Sequence, residues 1–113
     1  MAISPGTYNM TIQRRSDHSV SFQLKDSNSA NLNLSGYTVA SQVWDESRSN
    51  KLADVTITIT NSAGGQFSWK VTAAQTTTFV NNDYRYDILL TNPSGSKEYW
   101  VEGRIYVEEG YTT

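Results

Sequence analysis

The sequence predicts an all-β protein that folds as an antiparallel β-sandwich. Apolar and polar residues alternate along about seven short segments, which is the spacing of strands with one buried face. Clusters of Asn, Asp, Gly and Ser separate these segments at intervals of about 8–12 residues, as turns do in sandwiches. Most connections are therefore expected to be short and local.

Alternating apolar side chains predict three strands in the first half of the chain. They cover residues 8–12, 20–24 and 37–44. Residues 25–31 separate the second strand from the third and are rich in Asn and Ser, whose side chains bond to their own backbone in turns. Residues 45–51 are predicted to form a polar loop after the third strand.

The second half of the chain supplies four more strands and one helical turn. The strands cover residues 55–60, 67–71, 84–90 and 99–107. The first of them alternates Ile with Thr, whose branched side chains fit a pleated sheet. Thr72 and Gln75 match a capping box and predict a helical turn at residues 73–77. Glycine-containing turns at residues 61–65 and 92–96 are expected to close hairpins.

Seven short strands with local connections are typical of an immunoglobulin-like sandwich, and a Greek-key barrel is the competing architecture. Tyr84 or Tyr86 falls where such sandwiches place a tyrosine corner; the alternative is that both face the core. Residues 1–6 are expected to be a flexible N-terminal arm, and residues 7–113 a single sandwich domain.

The apolar residues of the predicted inner faces make up the expected core. They are Val20, Phe22, Leu24, Tyr37, Val39, Val43, Val55, Ile57, Ile59, Phe67, Trp69, Val71, Ile88, Leu90, Val101, Ile105 and Val107.

The composition restricts the classes of function. The 113 residues carry a net charge of -2 and only 18% charged residues, so neither nucleic acid nor an anionic membrane is an expected partner. The chain has no cysteine, which excludes disulfides and thiolate metal sites. Its N-terminal residues lack the basic and apolar regions of a cleavable signal peptide, so we do not expect export by that route.

Residues for catalysis or metal binding are sparse. His18 is the one histidine, and its neighbours Asp17 and Ser19 are explained by turn chemistry. The Asp-x-Asn sequence at residues 26–28 begins like a calcium loop, but Ala30 stands where a ligand belongs. We therefore expect no metal, no cofactor and no enzymatic activity.

Large aromatic residues on the predicted wet side of two strands are the remaining anomaly. Trp44, Trp100 and Tyr106 have the opposite parity to the core residues of their strands. Trp and Tyr are enriched at binding hot spots, so we predict that these three residues contact a partner, with Glu102 and Arg104 as rim residues. The alternative is that the strand ends fold the aromatics under neighbouring loops.

The order of motifs along the chain resembles a family of small proteins from tailed bacteriophages. The motifs are Tyr-x-x-x-Ile at residues 8–12, Phe-x-Leu-x-Asp at 22–26, Leu-Ser-Gly-Tyr-Thr at 34–38, Val-Thr-Ala-Ala-Gln-Thr at 71–76, Tyr-x-Tyr-Asp-Ile at 84–88 and Glu-Gly-x-Ile-x-Val at 102–107. The pattern is also similar to the N-terminal domain of phage baseplate upper proteins, although we do not expect a receptor-binding extension after the domain.

The resemblance implies a structural protein of the virion, made in the host cytoplasm, without catalytic residues. Its expected role is a docking or adaptor module of the tail or baseplate, present in several copies and bound to other virion proteins. Two alternatives remain. One is a head-decoration protein of the same fold on the capsid, and the other is a carbohydrate-binding module whose aromatics stack on host surface glycans.

Overall fold

The computed structural model describes residues 6–25 and 30–109, which form two β-sheets packed face to face. The strands and the helix are β1 (Gly6–Thr7), β2 (Met10–Gln13), β3 (His18–Gln23), β4 (Thr38–Trp44), β5 (Lys51–Asp54), β6 (Thr56–Asn61), β7 (Gln66–Val71), α1 (Ala73–Thr76), β8 (Asp83–Thr91) and β9 (Lys97–Glu108). The all-β sandwich prediction is confirmed. The predicted arm lies outside the described residues except for Gly6, which pairs with Val101.

The six-stranded sheet has the order β1-β9-β8-β4-β5, and β2 pairs with β9 beyond the end of β1. The three-stranded sheet has the order β3-β7-β6. Both β1 and β2 run parallel to β9, so the prediction of a purely antiparallel sandwich is wrong at this edge. Alternation predicts that a segment is a strand, but it contains no information on the direction of its partner.

The predicted strands are all present, with two differences. The first predicted strand, residues 8–12, is observed as β2 (Met10–Gln13), and an unpredicted two-residue strand, β1, precedes it at Gly6–Thr7. β5 was not predicted, since Lys51 and Asp54 at its two ends gave it the polarity of a loop. The predicted helical turn is confirmed as α1, with both bonds of the capping box between Thr72 and Gln75.

The core prediction is confirmed for all but one residue. Nine predicted residues are buried, namely Leu24, Val43, Phe67, Trp69, Val71, Ile88, Leu90, Val101 and Ile105. The others pack against them while partly exposed, namely Val20, Phe22, Tyr37, Val39, Val55, Ile57 and Val107. Ile59 is 39% exposed, because it lies on the edge strand of the smaller sheet. Five further buried residues were not predicted, namely Met10, Ile12, Leu34, Ala53 and Phe79. Tyr84 and Tyr86 are also buried, which agrees with the alternative that both face the core.

A buried polar chain connects the two sheets at the centre of the core. The indole Nε1 of Trp69, on β7, donates to the Ser41 hydroxyl on β4 at 2.9 Å. That hydroxyl donates in turn to the backbone carbonyl of Asp87 on β8 at 2.6 Å. Because each group has its partner, a fully buried indole and a buried hydroxyl are accommodated without a desolvation penalty.

The attachment of the N-terminal strands to β9 depends on a glycine. The Tyr8 carbonyl oxygen turns into the space beside Gly103, where it accepts a hydrogen bond from the Tyr86 hydroxyl. A Cβ on residue 103 would lie 2.0 Å from that oxygen, which is far inside van der Waals contact. A residue without a Cβ is therefore required on β9 at the point where the chain crosses from β1 to β2.

We predict that Gly103→Ala lowers the free energy of unfolding by about 1–3 kcal/mol, because the methyl group displaces the Tyr8 carbonyl from Tyr86. Chemical denaturation followed by tryptophan fluorescence measures the change. Gly6→Ala is the matched control, since its Cβ would have only the Trp100 carbonyl oxygen nearby, at 3.8 Å. Equal stability of the two variants would contradict the role given to Gly103.

Candidate functional site

The residues of a hypothetical catalytic triad do not come together. His18 begins β3 and lies edge-on to Trp69, with ring centroids 6.3 Å apart. Its Nε2 is buried without a hydrogen-bond partner among the described residues, and burial lowers the pKa of the imidazole. Asp17 Oδ1 instead accepts from the Ala73 backbone N–H at 2.7 Å and so holds the start of α1. His18 is thus a neutral packing residue.

Within residues 6–25 and 30–109, no three His, Cys, Asp or Glu side chains cluster as metal ligands would. Residues 26–29, where the sequence begins like a calcium loop, lie outside the described part of the chain. No helix in the described part is long and apolar enough to cross a membrane.

A β-bulge in β9 turns Trp100 towards the core and Tyr99 towards the outer face. Ile88 on β8 pairs with Val101, but the next residue, Leu89, pairs with Tyr99, so that Trp100 is the extra residue. An extra residue inverts the alternation on one side of it. Tyr99 is consequently 50% exposed on the outer face, whereas Trp100 packs against the core. The prediction that Trp100 faces solvent by parity is therefore wrong.

The outer face of the six-stranded sheet is arranged in rows across β4, β8 and β9. One row is Trp44, Arg85 and Arg104; the next is Gln42, Asp87 and Glu102; the next is Ala40, Leu89 and Tyr99. Tyr106, 43% exposed, continues the face on the other side of Arg104 and pairs with Asp83. Side chains directly opposite one another in such rows are close enough to interact. This surface, called the outer face below, consists of these residues together with the loop residues Asp45, Glu46 and Arg48.

The outer face contains a cleft of about 290 Å³. Trp44 and Arg48 lie on one side of the cleft, Tyr99 lies on the other, and Asp87 and Glu102 are between them. The cleft exists because the loop after β4 folds back over the sheet. Asp45 holds that loop by accepting hydrogen bonds from the backbone N–H groups of Ser49 and Asn50, as an Asx residue does in a turn.

Trp44 is held in a fixed orientation at the cleft margin. Its Nε1 donates to the Gln42 side-chain oxygen at 3.0 Å, and the Arg48 guanidinium lies 4.8 Å from the centre of its ring. The second contact has the geometry of a cation–π interaction. An aromatic side chain that is already ordered loses little conformational entropy when it binds a partner, which favours binding.

The charges of the outer face are mixed and partly paired. Glu46, in the loop, forms a salt bridge with Arg104, and this hydrogen bond raises the pKa of the guanidinium. Asp87 and Glu102 face one another across β8 and β9. Burial raises the pKa of the Asp87 carboxyl, the charge of Glu102 raises it further, and Arg48 opposes both effects. The ionised Asp87 carboxylate on the floor of the cleft is therefore destabilising.

The structure brings four of the five predicted partner-binding residues to one face. Trp44, Glu102, Arg104 and Tyr106 lie on the outer face, and Trp100 does not. Arg48, Arg85, Asp87 and Tyr99 are among the residues of this face that were not predicted from the sequence. The alternation of β8 contained the signal for Arg85 and Asp87, since both have the opposite parity to its core residues. Tyr99 had no such signal, because the bulge is not visible in the pattern.

The described residues form a β-sandwich whose six-stranded sheet carries a cleft lined by aromatic and charged side chains. The chain belongs to the LtfC-like β-sandwich domain family, whose model matches residues 4–108. LtfC is a phage tail-associated protein, so this membership supports a phage β-sandwich protein. The comparisons do not show the expected similarity to baseplate upper proteins.

Among solved structures, the chain is similar to the Lin-41 filamin domain. The crystal structure of that domain has a TM-score of 0.54 and 16% identity, with 88% of this chain and 84% of that chain covered. At this identity the likeness is one of fold alone, and it agrees with the immunoglobulin-like prediction. Immunoglobulin-like sandwich families are generally non-catalytic. No curated protein matches the sequence.

Because Trp100 packs on the core and Tyr99 is half exposed, their substitutions should differ in their effect on stability. Trp100→Ser should lower the free energy of unfolding by about 1–3 kcal/mol, because it removes a side chain that packs on the core. Tyr99→Ser should change it by less than about 1 kcal/mol, since half of its surface is exposed. Thermal unfolding of both variants measures this. The reverse order of stabilities would place the bulge elsewhere.

The acid pair predicts a pH dependence of stability. The pKa of Asp87 is higher in the folded protein than its ordinary value of 3.8, so the ionised carboxylate destabilises the fold above the folded pKa, and this cost disappears below 3.8. Asp87→Asn should therefore be more stable than the wild type at neutral pH, and the difference should vanish as the pH falls to 3.8. Glu102→Gln should reproduce part of the effect. Urea unfolding across this pH range is the measurement, and a variant less stable at neutral pH would contradict it.

Proposed function

We propose that this chain is a non-enzymatic structural protein of a tailed-phage virion, a docking module of the tail or baseplate that binds another virion subunit through its outer face. The supporting observation is the arrangement of that face. Trp44, which Gln42 and Arg48 hold in place, and the exposed Tyr99 stand at the margins of a cleft whose lining includes Arg48 and Arg85. Membership of the LtfC-like family supports the tail as the location.

The residue types of the outer face fit protein docking. Trp, Tyr and Arg are enriched at the hot spots of protein interfaces, whereas Lys is depleted. The outer face has Trp44, Tyr99 and Tyr106 with three arginines, and Lys51, which lies opposite Trp44 on β5, is already paired with Asp54. Glu46 already neutralises Arg104, while no salt bridge of Arg48 or Arg85 is present in the described part of the chain. An acidic or carbonyl-rich partner surface would suit these two arginines.

Glycan binding is the second candidate, and the cleft itself favours it. Trp44 and Tyr99 lie on its two sides with the carboxylates of Asp87 and Glu102 between them. Aromatic rings can stack on the faces of sugars while carboxylates accept hydrogen bonds from hydroxyl groups. The two candidates differ in area: a sugar would occupy the cleft alone, whereas a subunit would also cover Tyr106 and Arg104 outside it.

We predict that Tyr106→Ala and Tyr99→Ala each reduce occupancy of the protein on phage particles at least about fivefold, which corresponds to the loss of a hot-spot residue of about 1 kcal/mol or more. Complementation of a phage lacking the gene, followed by quantitative blotting of purified particles, measures occupancy. Val80→Ser is the control, because Val80 is 67% exposed and belongs neither to the lining of the cleft nor to the rows of the outer face.

The pattern of losses distinguishes the two candidates. Docking requires both tyrosine variants to lose occupancy and Val80→Ser to keep it. If Tyr99→Ala abolishes retention on host cell-wall polysaccharide while both tyrosine variants occupy particles normally, the cleft binds glycans and the docking proposal is wrong.

A further inference from the structure

The edge of the three-stranded sheet formed by β6 is open. β7 pairs with β6 on one side, and no third strand pairs with it among the described residues. Backbone hydrogen bonds hold the chain immediately before and after β6. Before the strand, Val55 N–H donates to the Ser41 carbonyl, and after it the Ser62 carbonyl accepts from Leu34 N–H. Between these points, no hydrogen bond in the described part of the chain joins residues 56–60 to anything but β7.

This edge lacks most of the features that prevent strands from pairing. Residues 55–69 contain no charged residue and no proline, so neither a lysine nor a missing N–H group blocks the approach of another strand. The edge strand β5 of the other sheet, by contrast, carries a salt bridge between Lys51 and Asp54. The one irregularity of β6 is a bulge at Thr60, near its end, which leaves the ladder regular from Thr56 to Ile59.

Apolar surface is left exposed on the same edge. Ile57 and Ile59 pair with Trp69 and Phe67 of the core, so both point towards the interior of the sandwich. Ile57 packs against the core while partly buried, but Ile59 remains 39% exposed. A strand added beside β6 would place a side chain next to Ile59 on the inner face and remove that surface from water.

The sequence of β6 is symmetric over residues 56–60, so the strand can pair with a second copy of itself. Residues 56–60 read Thr-Ile-Thr-Ile-Thr, which is the same in both directions. We propose that a second copy of this chain pairs with β6 in antiparallel orientation, with the two-fold axis at Thr58. Thr58 then lies opposite Thr58 of the other copy, and Ile57 lies opposite Ile59 in both directions, so the exposed Ile59 gains a branched apolar neighbour in each copy.

The pairing joins two three-stranded sheets into one continuous sheet and closes the assembly. The contact is isologous, because the same edge is used by both copies, and it leaves no second β6 edge for a third copy. It also leaves the outer face free, since that face belongs to the other sheet. The dimer therefore does not depend on the proposed docking function, and it would present two outer faces to a partner assembly.

Cysteine crosslinking tests the position of the axis. The chain has no cysteine, so Thr58→Cys carries a single thiol. Opposite residues of antiparallel strands have Cα atoms about 4.5–5.5 Å apart, within the range for a disulfide. Thr56→Cys is the matched control, because the same residue in the two copies would be about 14 Å apart at 3.4 Å per residue. Under copper–phenanthroline oxidation, Thr58→Cys should form dimers at least about tenfold faster than Thr56→Cys.

A second measurement examines the wild-type chain. Sedimentation should show a concentration-dependent dimer, and Thr58→Lys should weaken it at least about tenfold, because two ammonium groups would face each other across the axis. Thermal unfolding of Thr58→Lys at low concentration shows that the monomer still folds. Equal crosslinking of the two cysteine variants, or crosslinking of neither, would overturn the proposal, as would a dimer of undiminished strength in Thr58→Lys.

Discussion

The hydrogen bond between Trp69 and Ser41 is the constraint on which the relation of the two sheets depends. Hydrophobic packing alone tolerates sliding of one sheet over another, but a buried N–H group must meet its acceptor at one position. Because Ser41 also donates to the backbone of Asp87, the same contact fixes β4 against β8. The buried hydrogen bonds of Ser41 thereby fix the positions of Gln42 and Asp87, which belong to one row of the outer face.

The bulge at Trp100 lets β9 cover the end of the core and also direct Tyr99 to the cleft. From Val101 onward its inner residues pack on the core, and Gly103 admits the Tyr8 carbonyl between the sheets. Before Val101 the strand must still cover the end of the core, and the extra residue turns Trp100 towards it. Tyr99 is then directed to the cleft. Bulges are commonly used in this way to re-aim side chains near binding sites.

The sequence was informative about strands and faces, and uninformative about partners. The alternation in residues 55–60 predicted β6 and the inward direction of Ile59, but the exposure of Ile59 follows from the position of β6 at an edge, which is a property of the whole sheet. For the same reason, the parallel pairing of β2 with β9 was not predictable. On the outer face, the alternation of residues predicted the positions of Trp44 and Tyr106 correctly. The prediction for Trp100 was wrong, because one inserted residue reverses the face to which the neighbouring side chains point.

The two proposed contacts lie on different sheets and differ in their physical basis. Binding at the outer face involves Arg48, Arg85 and the acids Asp87 and Glu102, and exposed charges of this kind are screened by salt within about 8–10 Å. Pairing along β6 involves backbone hydrogen bonds and the side chains of Thr and Ile, so it gains nothing from attraction between charges. Raising the salt concentration should therefore weaken attachment to a partner while leaving the dimer intact. A loss of both contacts together at high salt would mean that the charges of the outer face also hold the two copies together, contrary to an axis at Thr58.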